Sequence, residues 1–586
     1  MREGRIVSVN GPIVRAEGLT DSAMMELVHV GAAGLTGEII RFEKGLATIQ
    51  VYEDDTGMRP GEPVVGTGMP MSLALGPGLL GGIYDGIQRP LSALEAHSGQ
   101  FLLRGEKIFP LDETKRWEVR PLARAGTRVR AGDILFEIEE TALVRHRVML
   151  PPGLEGVLEY LAPPGTYGMQ DVVWRIRDQA GRQEEGRLFH WWPARKGRPY
   201  RGKRPVDKPL LTGLRIIDTF FPISKGGVAA IPGGFGTGKT MTQHALAKWS
   251  DADVIVYIGC GERGNEMTDV LNEFPKLKDP KSGLPLMDRT ILIANTSNMP
   301  VAAREISIFT GIAMAEYYRD MGYDVAIMAD STSRWAEALR ELSGRLEEMP
   351  AEEGFPAYLP SRLAEFYERA GAVETLSGAA GSVSVIGAVS PPGGDFSEPV
   401  TQHTRRFIRC FWALDRGLAN ARHYPAISWL ESYSEYVDEI QDWWTEIDPD
   451  WRSQRDHALE ILQREDRLQQ IVKLVGPDAL PDAQRLILLT ADLLKNAFLQ
   501  QNSFDANDMY AVPQRQVLML RALLDFHLHA ERVIKRGVPI GRVRDCPQLD
   551  SLRRMKSTVS NDEAGAIEEI RQSVIAALAR LEGDFA

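Results

Sequence analysis

The sequence of 586 residues lacks the features that mark secreted or membrane-spanning proteins. It contains only three cysteines, Cys260, Cys410 and Cys546, too few and too scattered for a disulfide framework or a cysteine-rich metal site. No stretch approaches the roughly 18 to 20 uninterrupted apolar residues that span a bilayer, and the N-terminus shows no apolar core of a secretory signal. We therefore predict buried free thiols, no transmembrane helix and a cytoplasmic location.

An excess of positive charge is also missing, because the formal net charge is -12 at pH 7. This balance argues against a protein whose main role is to coat nucleic acid. One basic segment lies near Trp191, Trp192 and Tyr200, and its cations are Arg195, Lys196, Arg198, Arg201, Lys203, Arg204 and Lys208. Aromatic rings among cations can stack bases, but the prolines interspersed here favour an extended, solvated crossover. The sequence predicts no nucleic-acid partner.

The length predicts several domains, roughly three to five of ordinary size. Residues 1–72 alternate short β-rich runs with turn residues and predict an N-terminal β-barrel. Residues 73–110, broken by glycine and proline, are interpreted as a linker and the start of the core. Residues 111–200 again show a β pattern and predict an inserted all-β module without catalytic spacing.

The second half of the chain changes character twice. Between residues 201 and 440 the predicted strands are continuous apolar runs, typical of buried parallel strands joined by crossover helices. These runs are Val254–Ile258, Thr290–Ala294, Asp324–Ala329 and Val383–Val389. Residues 441–586 show helical periodicity, and one helix face carries Ile461, Leu468, Ile471, Val472 and Val475. The predicted fold class is a multidomain α/β protein with a C-terminal helical domain.

The chain is organised around Gly233-Gly234-Phe235-Gly236-Thr237-Gly238-Lys239-Thr240, which fits the pattern G-x-x-x-x-G-K-[ST] at every fixed position. The apolar run Val228–Ile231 predicts a strand before it, and residues 241–248 predict a helix after it. The glycines let backbone N–H groups turn inward around a polyphosphate, and the helix N-terminus adds partial positive charge. Lys239 can bridge the outer phosphates and Thr240 can ligate Mg²⁺. The stretch therefore predicts nucleotide binding.

Two carboxylates follow predicted strands. Asp330 ends the apolar run 325–329, at the edge where a nucleotide's metal ion lies in open α/β sheets, although Asp at such a place is alternatively a helix N-cap. Glu262 follows the strand 254–258 and can orient an attacking water with Arg263 beside it, or instead form a surface salt bridge. Glu266 is a weaker second candidate.

Two aromatic residues, Tyr424 and Phe504, lie in loop-like settings and can sandwich a base. Taken singly, such residues more often belong to a core. Both interpretations stay open from the residues alone.

Six motifs together resemble the catalytic A subunit of the V/A-type rotary ATPases, in particular its prokaryotic branch. In chain order they are GPGLL with GIYDGIQRPL, GGFGTGKT, GCGERGNEMTDV, DVAIMADSTSRWAEALRE, PAYLPSRLAEFYERAG and SPPGGDFSEPVTQ. The resemblance covers essentially the whole chain, and residues 111–200, closing with WWPARKGRP, resemble the bulge module of that family. It implies a RecA-like P-loop domain at residues 201–440. The non-catalytic B subunit is disfavoured, since it lacks an intact P-loop.

The resemblance implies ATP or ADP with Mg²⁺ as the bound ligand. The implied nucleotide-binding residues are Gly233, Gly234, Phe235, Gly236, Thr237, Gly238, Lys239, Thr240, Met241, Tyr424 and Phe504. Lys239 would hold the β- and γ-phosphates, Glu262 the lytic water and Arg263 the surroundings of the phosphates. Thr240 would ligate Mg²⁺ and Asp330 would reach it through a water molecule. Tyr424 and Phe504 would flank adenine.

The same resemblance implies a protein that couples ATP hydrolysis or synthesis to rotor rotation and transmembrane ion transport, with the proton as the expected ion. Its partners would be a B subunit, which supplies an arginine finger in an alternating ring of three A and three B subunits, and the central and peripheral stalks. Residues 476–482 would face the central rotor. The location would be the cytoplasmic face of the cell membrane, reached through the assembled complex and its membrane sector.

One position departs from the eukaryotic members, because Thr237 stands where they typically have Cys, so redox locking of the loop is not expected. Cys260 nevertheless lies next to the predicted site. The main alternative function is a hexameric RecA-like nucleic-acid translocase ATPase. A nucleotide-stabilised structural subunit is a third hypothesis, and the presence of Lys239, Glu262 and Asp330 together disfavours it. The coupled ion, H⁺ or Na⁺, and the direction of turnover stay open.

Overall fold

The structure, a computed structural model, describes residues 2–99, 104–279 and 282–584. The chain divides into two compact units. The first consists of Met1–Pro205, Lys225–Ala230 and Ala252–Ile408, and the second of Val206–Ser224, Ile231–Asp251 and Arg409–Ala586. The region predicted as one nucleotide-binding domain, 201–440, therefore contributes residues to both units.

The first unit begins with a closed six-stranded antiparallel barrel in the order β1-β2-β5-β4-β3-β6. Its strands are β1 (Arg2–Asn10), β2 (Ile13–Glu17), β3 (Glu26–Val30), β4 (Leu35–Glu43), β5 (Leu46–Val51) and β6 (Pro63–Pro70). Apolar side chains that alternate along the strands, among them Val14, Val28, Ile39, Ile49 and Val64, fill the interior. The predicted barrel is confirmed.

The segment interpreted as a linker and the start of the core contributes strands to the sheets. It contains β7 (Ser72–Leu75), β8 (Ile83–Tyr84) and helix α1 (Leu91–Ser98). Ile83 and Tyr84 pair in parallel with Leu292 and Ile293, so β8 forms an edge of a sheet. Residues 100–103 of this predicted segment lie outside the described residues.

The inserted module consists of two four-stranded antiparallel sheets, in the orders β10-β13-β15-β16 and β12-β11-β9-β14. Its strands are β9 (Trp117–Pro121), β10 (Arg128–Arg130), β11 (Ile134–Glu139), β12 (Arg145–Met149), β13 (Glu155–Leu161), β14 (Gly165–Tyr167), β15 (Trp174–Arg177) and β16 (Gln183–Gly186). Two further strands follow, β17 (His190–Pro193), which pairs with β7, and β18 (Gly202–Lys203).

Part of the basic segment is buried, and the prediction of a solvated crossover is wrong for that part. Arg195 pairs with Glu305 through Nη2 at 2.6 Å, and Arg198, only 3% exposed, pairs with Asp320 through Nε at 2.6 Å. Burying a cation is tolerated only when a carboxylate and hydrogen bonds replace water. The cations that are exposed, as predicted, are Lys196, Arg201, Lys203, Arg204 and Lys208.

The remaining elements alternate strands with helices and then become helical. The strands are β19 (Val228–Pro232), β20 (Val254–Glu262), β21 (Thr290–Thr296), β22 (Asp324–Asp330), β23 (Gly371–Glu374), β24 (Ala380–Val389), β25 (Cys410–Phe411) and β26 (Tyr433–Ser434). The helices are α2 (Lys239–Trp249), α3 (Gly264–Glu273), α4 (Val301–Asp320), α5 (Thr332–Arg345), α6 (Leu359–Tyr367), α7 (Pro399–Arg405), α8 (Arg416–Asn420), α9 (Gln441–Ile447), α10 (Trp451–Val475), α11 (Asp482–Leu493), α12 (Pro513–Lys535), α13 (Ile540–Arg544), α14 (Leu549–Thr558) and α15 (Ala566–Asp584). Single π-helical turns occur at Ile216–Phe220 and Leu494–Leu499, and 3-10 turns at Phe274–Lys276, Leu286–Arg289, Glu352–Gly354, Pro392–Gly394 and Pro477–Ala479.

In the first unit the strands β24, β22, β20, β21 and β8 pair in that order, all in parallel, and β23 joins antiparallel at β24. Their residues are almost completely buried, which explains why the sequence shows continuous apolar runs rather than alternation. Helix α4 is buried along nearly its whole length. The carboxyl ends of β20 and β22 are Glu262 and Asp330.

The second unit contains α2 and the helices α8 to α15. Trp444 and Trp451 stack at 5.1 Å between ring centroids and form a core with Ile440. On α10, Ile461 and Leu468 are buried as their shared face predicts, but Ile471 and Val475, toward the end of the helix, are 45% and 59% exposed. None of the helices in the described part of the chain combines the length and apolar character that a membrane span requires.

Candidate active site

In the second unit a glycine loop of six residues, 233–238, joins the end of β19 to the start of α2. Gly236 and Gly238 have φ of +80° and +86°, a left-handed conformation that favours glycine. The Thr237 hydroxyl, almost fully buried, donates to the carbonyl of Gly234 at 2.8 Å and closes the turn. The N–H of Leu414 donates to the carbonyl of Pro232 at 2.9 Å and holds the entry of the loop.

Gly233, the first residue of this loop, has no room for a side chain. A Cβ on Gly233 would lie 2.6 Å from the Thr237 hydroxyl oxygen and 2.8 Å from Leu414. A Cβ on Gly238 would meet the ring of Tyr424 at 3.4 Å, so the aromatic ring packs beside the end of the loop. The backbone is therefore shaped as a cradle, the form that polyphosphates require.

Helix α2 starts at Lys239, and its first turn contains no acidic residue. The Thr242 hydroxyl donates back to the carbonyl of Gly238 at 2.9 Å. Lys239 and Thr240 are half-buried in this turn, while Phe235 and Met241 are exposed. The positive end of the helix dipole thus points toward the loop that precedes it.

Tyr424 and Phe504 are exposed, by 42% and 91% respectively, so neither is a core residue. The N–H of Gln501 donates to the carbonyl of Tyr424 at 2.8 Å, which ties the two loops that carry these rings. The N–H of Phe504 donates to Asn502 Oδ1 at 3.0 Å in a tight turn. The structure therefore places Tyr424 against the phosphate loop and connects its backbone to the loop of Phe504.

In the first unit Glu262 ends β20, half-buried, and its carbonyl accepts from the N–H of Ser297 at 2.9 Å. Gly261 before it has φ of +73°, and a Cβ there would lie 2.8 Å from atoms of both Arg304 and Arg334. Arg263 is exposed and precedes the first turn of α3. The pKa of Arg334 is raised, first by its hydrogen bond to Glu337 and further by the charges of Glu262 and Glu266.

Asp330 is 1% exposed and lies opposite Gly259 in the pairing of β22 with β20. The Tyr257 hydroxyl donates to Asp330 Oδ2 at 3.3 Å. Burial, followed by the Asp330 charge, holds the pKa of Tyr257 well above its ordinary value, so the hydroxyl stays a donor. The cap of α5 is Ser331, whose Oγ accepts from the N–H of Arg334 at 3.4 Å, so the alternative of Asp330 as the N-cap is wrong.

Sequence reasoning missed Tyr257, Arg304 and Arg334. Arg304 is buried and donates through Nη2 to the carbonyl of Ser297 at 3.0 Å. The only local signal was the position of Arg334 in the first turn after Asp330. Tyr257 reads simply as one more apolar strand residue, because its hydroxyl partner lies 73 residues away.

Cys260 lies two residues before Glu262 and is buried. Cys410 and Cys546 are also free and buried, as the sequence predicts. The Cys260 Sγ is 3.5 Å from the Ser307 hydroxyl oxygen. Burial raises the pKa of the Cys260 thiol to about 12. A protonated, inaccessible thiol reacts slowly, so this position favours an inert cysteine.

The predicted residues divide between the two units: the phosphate loop, Tyr424 and Phe504 belong to the second, and Glu262, Arg263 and Asp330 to the first. Over the described ranges no group of three or more His, Cys, Asp and Glu side chains is placed to hold a metal ion. Mg²⁺ bound with a nucleotide uses one or two protein oxygens plus phosphate and water, and the Thr240 hydroxyl and Asp330 carboxylate are donors of that kind.

Four family models match the chain in succession. The ATP synthase alpha/beta family beta-barrel domain matches residues 6–68, the ATP synthase alpha/beta subunit barrel-sandwich domain 108–195, the nucleotide-binding domain of the same family 213–434, and the C-terminal domain of V and A type ATP synthase 441–542.

Curated relatives match over nearly the full chain. The V-type ATP synthase alpha chain of Halothermothrix orenii is 57% identical over 571 residues, 97% of both chains. The A subunit of the A-type ATP synthase from Desulfurococcus sp. is 58% identical over 94% of this chain and 95% of the relative. That of Methanopyrus kandleri is 56% identical over 98% and 97%.

Among solved structures, the assembled ATPase EscN of the enteropathogenic E. coli type III secretion system matches with a TM-score of 0.62. The match covers 89% of this chain and 100% of EscN at 20% sequence identity, so it shows a shared fold alone.

Proposed function

The chain belongs to the ATP synthase alpha/beta family, and from this membership we propose that it is the catalytic, ATP-hydrolysing and ATP-synthesising subunit of a V/A-type rotary ATPase. The observation that carries the proposal is the glycine cradle before α2, with Lys239 and Thr240 in the first helical turn. The V and A type C-terminal domain supports the assignment to this branch.

The phosphates of the nucleotide bind to backbone N–H groups of residues 233–240 and to the positive end of α2. Lys239 neutralises charge on the β- and γ-phosphates, with Met241 following in the same turn. Mg²⁺, when bound with ATP or ADP, offsets charge on the phosphate oxygens. Thr240 and, through a water molecule, Asp330 would hold it. The Tyr257 hydroxyl fixes the orientation of the Asp330 carboxylate.

Glu262 orients the attacking water and draws its proton, while Arg263 lies at the phosphate side of the site. The negative charge of Glu262 contributes to the raised pKa of Arg334, after the hydrogen bond that Arg334 donates to Glu337, so a positive charge lies near the proposed base. Tyr424 and Phe504 bind the two faces of adenine, since their exposed rings are available for stacking.

The complex surrounding the protein is part of the proposal. A neighbouring B subunit supplies an arginine finger to each site in an alternating ring, and the ring binds a central rotor stalk and a peripheral stalk. The exposed apolar end of α10, with Leu474 86% and Val475 59% exposed beside residues 476–482, supports a contact with the rotor there. Rotation of the rotor drives proton transport through the membrane sector of the complex. The protein itself lies peripherally, at the cytoplasmic face of the cell membrane.

Domain boundaries at 72, 110, 200 and 440 belong to the same proposal. The stretches matched by the family models, 6–68, 108–195, 213–434 and 441–542, lie close to them. The alternative of a nucleic-acid translocase gains no support from Arg195 and Arg198 of the basic segment, because both are engaged in ion pairs with carboxylates of the same unit.

The decisive test compares two variants in a ring reconstituted with the other subunits. Glu262→Gln should lower ATP turnover by about a thousandfold, in the range of a lost general base, while ATP still binds, since shape is kept and charge is lost. Lys239→Ala should instead weaken ATP binding itself, by roughly a hundredfold. Glu273→Gln, exposed at the end of α3, is the matched control and should behave as wild type. Unchanged turnover in the Glu262 variant, or equal ATP affinity in the Lys239 variant, contradicts the proposal.

A further inference from the structure

Arg215, in the second unit, is a fully buried arginine whose guanidinium binds one loop at three points. Nε donates to the carbonyl of Phe498 at 2.6 Å, Nη1 to Asp508 Oδ1 at 2.7 Å, and Nη2 to the carbonyl of Gln500 at 2.8 Å. Its backbone N–H donates to Gln501 Oε1 at 3.0 Å. One side chain therefore organises residues 498–508.

The same loop carries Phe504, one of the two predicted base-binding residues, and is hydrogen-bonded to the backbone of the other, Tyr424. The second oxygen of Asp508 accepts from the N–H of Asn502 at 2.8 Å, and Asn502 in turn accepts from the N–H of Phe504. Gln501 donates from its backbone to the carbonyl of Tyr424 at 2.8 Å. Both rings are thus connected to the guanidinium through short chains of hydrogen bonds.

We propose that Arg215 is a positioning residue that sets the arrangement of Tyr424 and Phe504 and thereby the affinity for the base of the nucleotide. The inference rests on the proposed function, because it takes these rings as the base site. Phosphate recognition depends on other contacts, namely Thr237 to Gly234 and Leu414 to Pro232. Arg215 therefore acts on the base and leaves the phosphate cradle unchanged.

The chemistry of the side chain explains why lysine cannot replace it. A guanidinium presents five donors in a planar fork, whereas an ammonium is a point charge that cannot reach three acceptors spread along a loop. Because Arg215 is fully buried, each carbonyl that loses its donor there weakens the loop. Arg215→Lys keeps the charge opposite Asp508 and loses the fork.

The experiment measures binding of Mg-ATP and of Mg-tripolyphosphate, which has no base, to the purified full chain by calorimetric titration. Arg215→Lys should weaken ATP binding about tenfold, the size of one lost aromatic stacking contact, and change tripolyphosphate binding less than about twofold. In the reconstituted ring the same variant should raise KM for ATP with little change in kcat.

The matched control is Arg455→Lys. Arg455 is a buried arginine of the same unit that donates to the carbonyl of Phe220, at the far end of the π-helical turn after Arg215. It should leave the ratio of the two affinities at the wild-type value. If Arg215→Lys does not fold, Asp508→Asn decides, and it should show the same selective loss of ATP.

The outcomes distinguish failure of the positioning role from failure of the proposed function. A selective loss of ATP affinity supports the positioning role. Equal losses for both ligands, or no loss, overturn it while the proposed function stands. A wild-type chain that binds neither ligand overturns the proposed function and this inference with it.

Discussion

Two strands, β19 and β22, lead into helices in contrasting ways. Six residues, 233–238, join β19 to α2, and four of them are glycines. Phe235 in this loop is 80% exposed. Between β22 and α5 only Ser331 intervenes, and Asp330 before it is 1% exposed. The first junction is a glycine-rich run of backbone, and the second places one buried carboxylate at the end of a strand.

The difference follows from the ligand each junction suits. A polyphosphate spreads its charge over many oxygens, so a curved run of N–H groups and a helix N-terminus bind it best. In the proposed site a metal shell needs a fixed oxygen in a defined direction, and the Asp330 carboxylate, which accepts a hydrogen bond from Tyr257, would supply it. We therefore expect the first junction to be sensitive to substitutions that change the shape of the backbone. The second should be sensitive to the identity of one side chain.

The largest effect should come from filling the cradle of the first junction. Gly233→Ala places a methyl group 2.6 Å from the Thr237 oxygen and 2.8 Å from Leu414. Overpacking of this kind costs about 1 to 3 kcal/mol, so ATP affinity should fall tenfold or more in an equilibrium titration. Gly541→Ala, where nothing lies within 4 Å, is the control in the same unit. Wild-type ATP affinity in the Gly233 variant would show that the shape of the backbone at this junction does not determine nucleotide binding.

A smaller effect is expected at the second junction, where Ser331 caps α5 and Asp330 supplies the carboxylate. Ser331→Ala removes the acceptor for the N–H of Arg334 and should destabilise α5 by about 1 kcal/mol, measured by thermal or denaturant unfolding. Ser343→Ala, which removes a hydroxyl bonded to the Arg340 carbonyl in the same helix, should cost less. Equal costs for the two serines would mean that the junction is not capped by Ser331.

The smallest effect is expected at Cys260, two residues before the end of β20. Because burial raises its pKa to about 12, the thiolate fraction at pH 8 is roughly one in ten thousand, and it rises tenfold with each pH unit. N-ethylmaleimide at pH 7 to 8 should leave Cys260 unmodified in the native protein, as measured by mass spectrometry. Denatured protein is the positive control, and fast native labelling would show that the strand end is open.

Several elements were predictable because their signal is local. The strand, glycine loop and helix around Lys239 follow from a contiguous pattern, and the structure places β19 and α2 at the expected positions. The buried strands β20 to β22 follow from continuous apolar runs. By contrast, β8 has only two residues, and its pairing partner lies about two hundred residues along the chain. No local pattern specifies such a pairing.

The charged residues show the same limit. Arg195 and Arg198 looked solvated because their neighbours in sequence are prolines and cations. Their carboxylate partners, Glu305 and Asp320, lie 110 and 122 residues away. A buried ion pair exists only when folding brings both members out of water together.

What the sequence by itself determined is the local chemistry: the phosphate loop, the acids at strand ends and the succession of barrel, β module, α/β core and helices. Only the tertiary structure decided which polar groups are buried and what they hold, as with Tyr257 on Asp330 and Arg215 on the loop of Phe504. Local patterns act through neighbours a few residues apart. Burial and pairing of charge depend on contacts between segments that are far apart in sequence, from 73 residues for Tyr257 and Asp330 to 293 for Arg215 and Asp508, and those contacts form only in the folded chain.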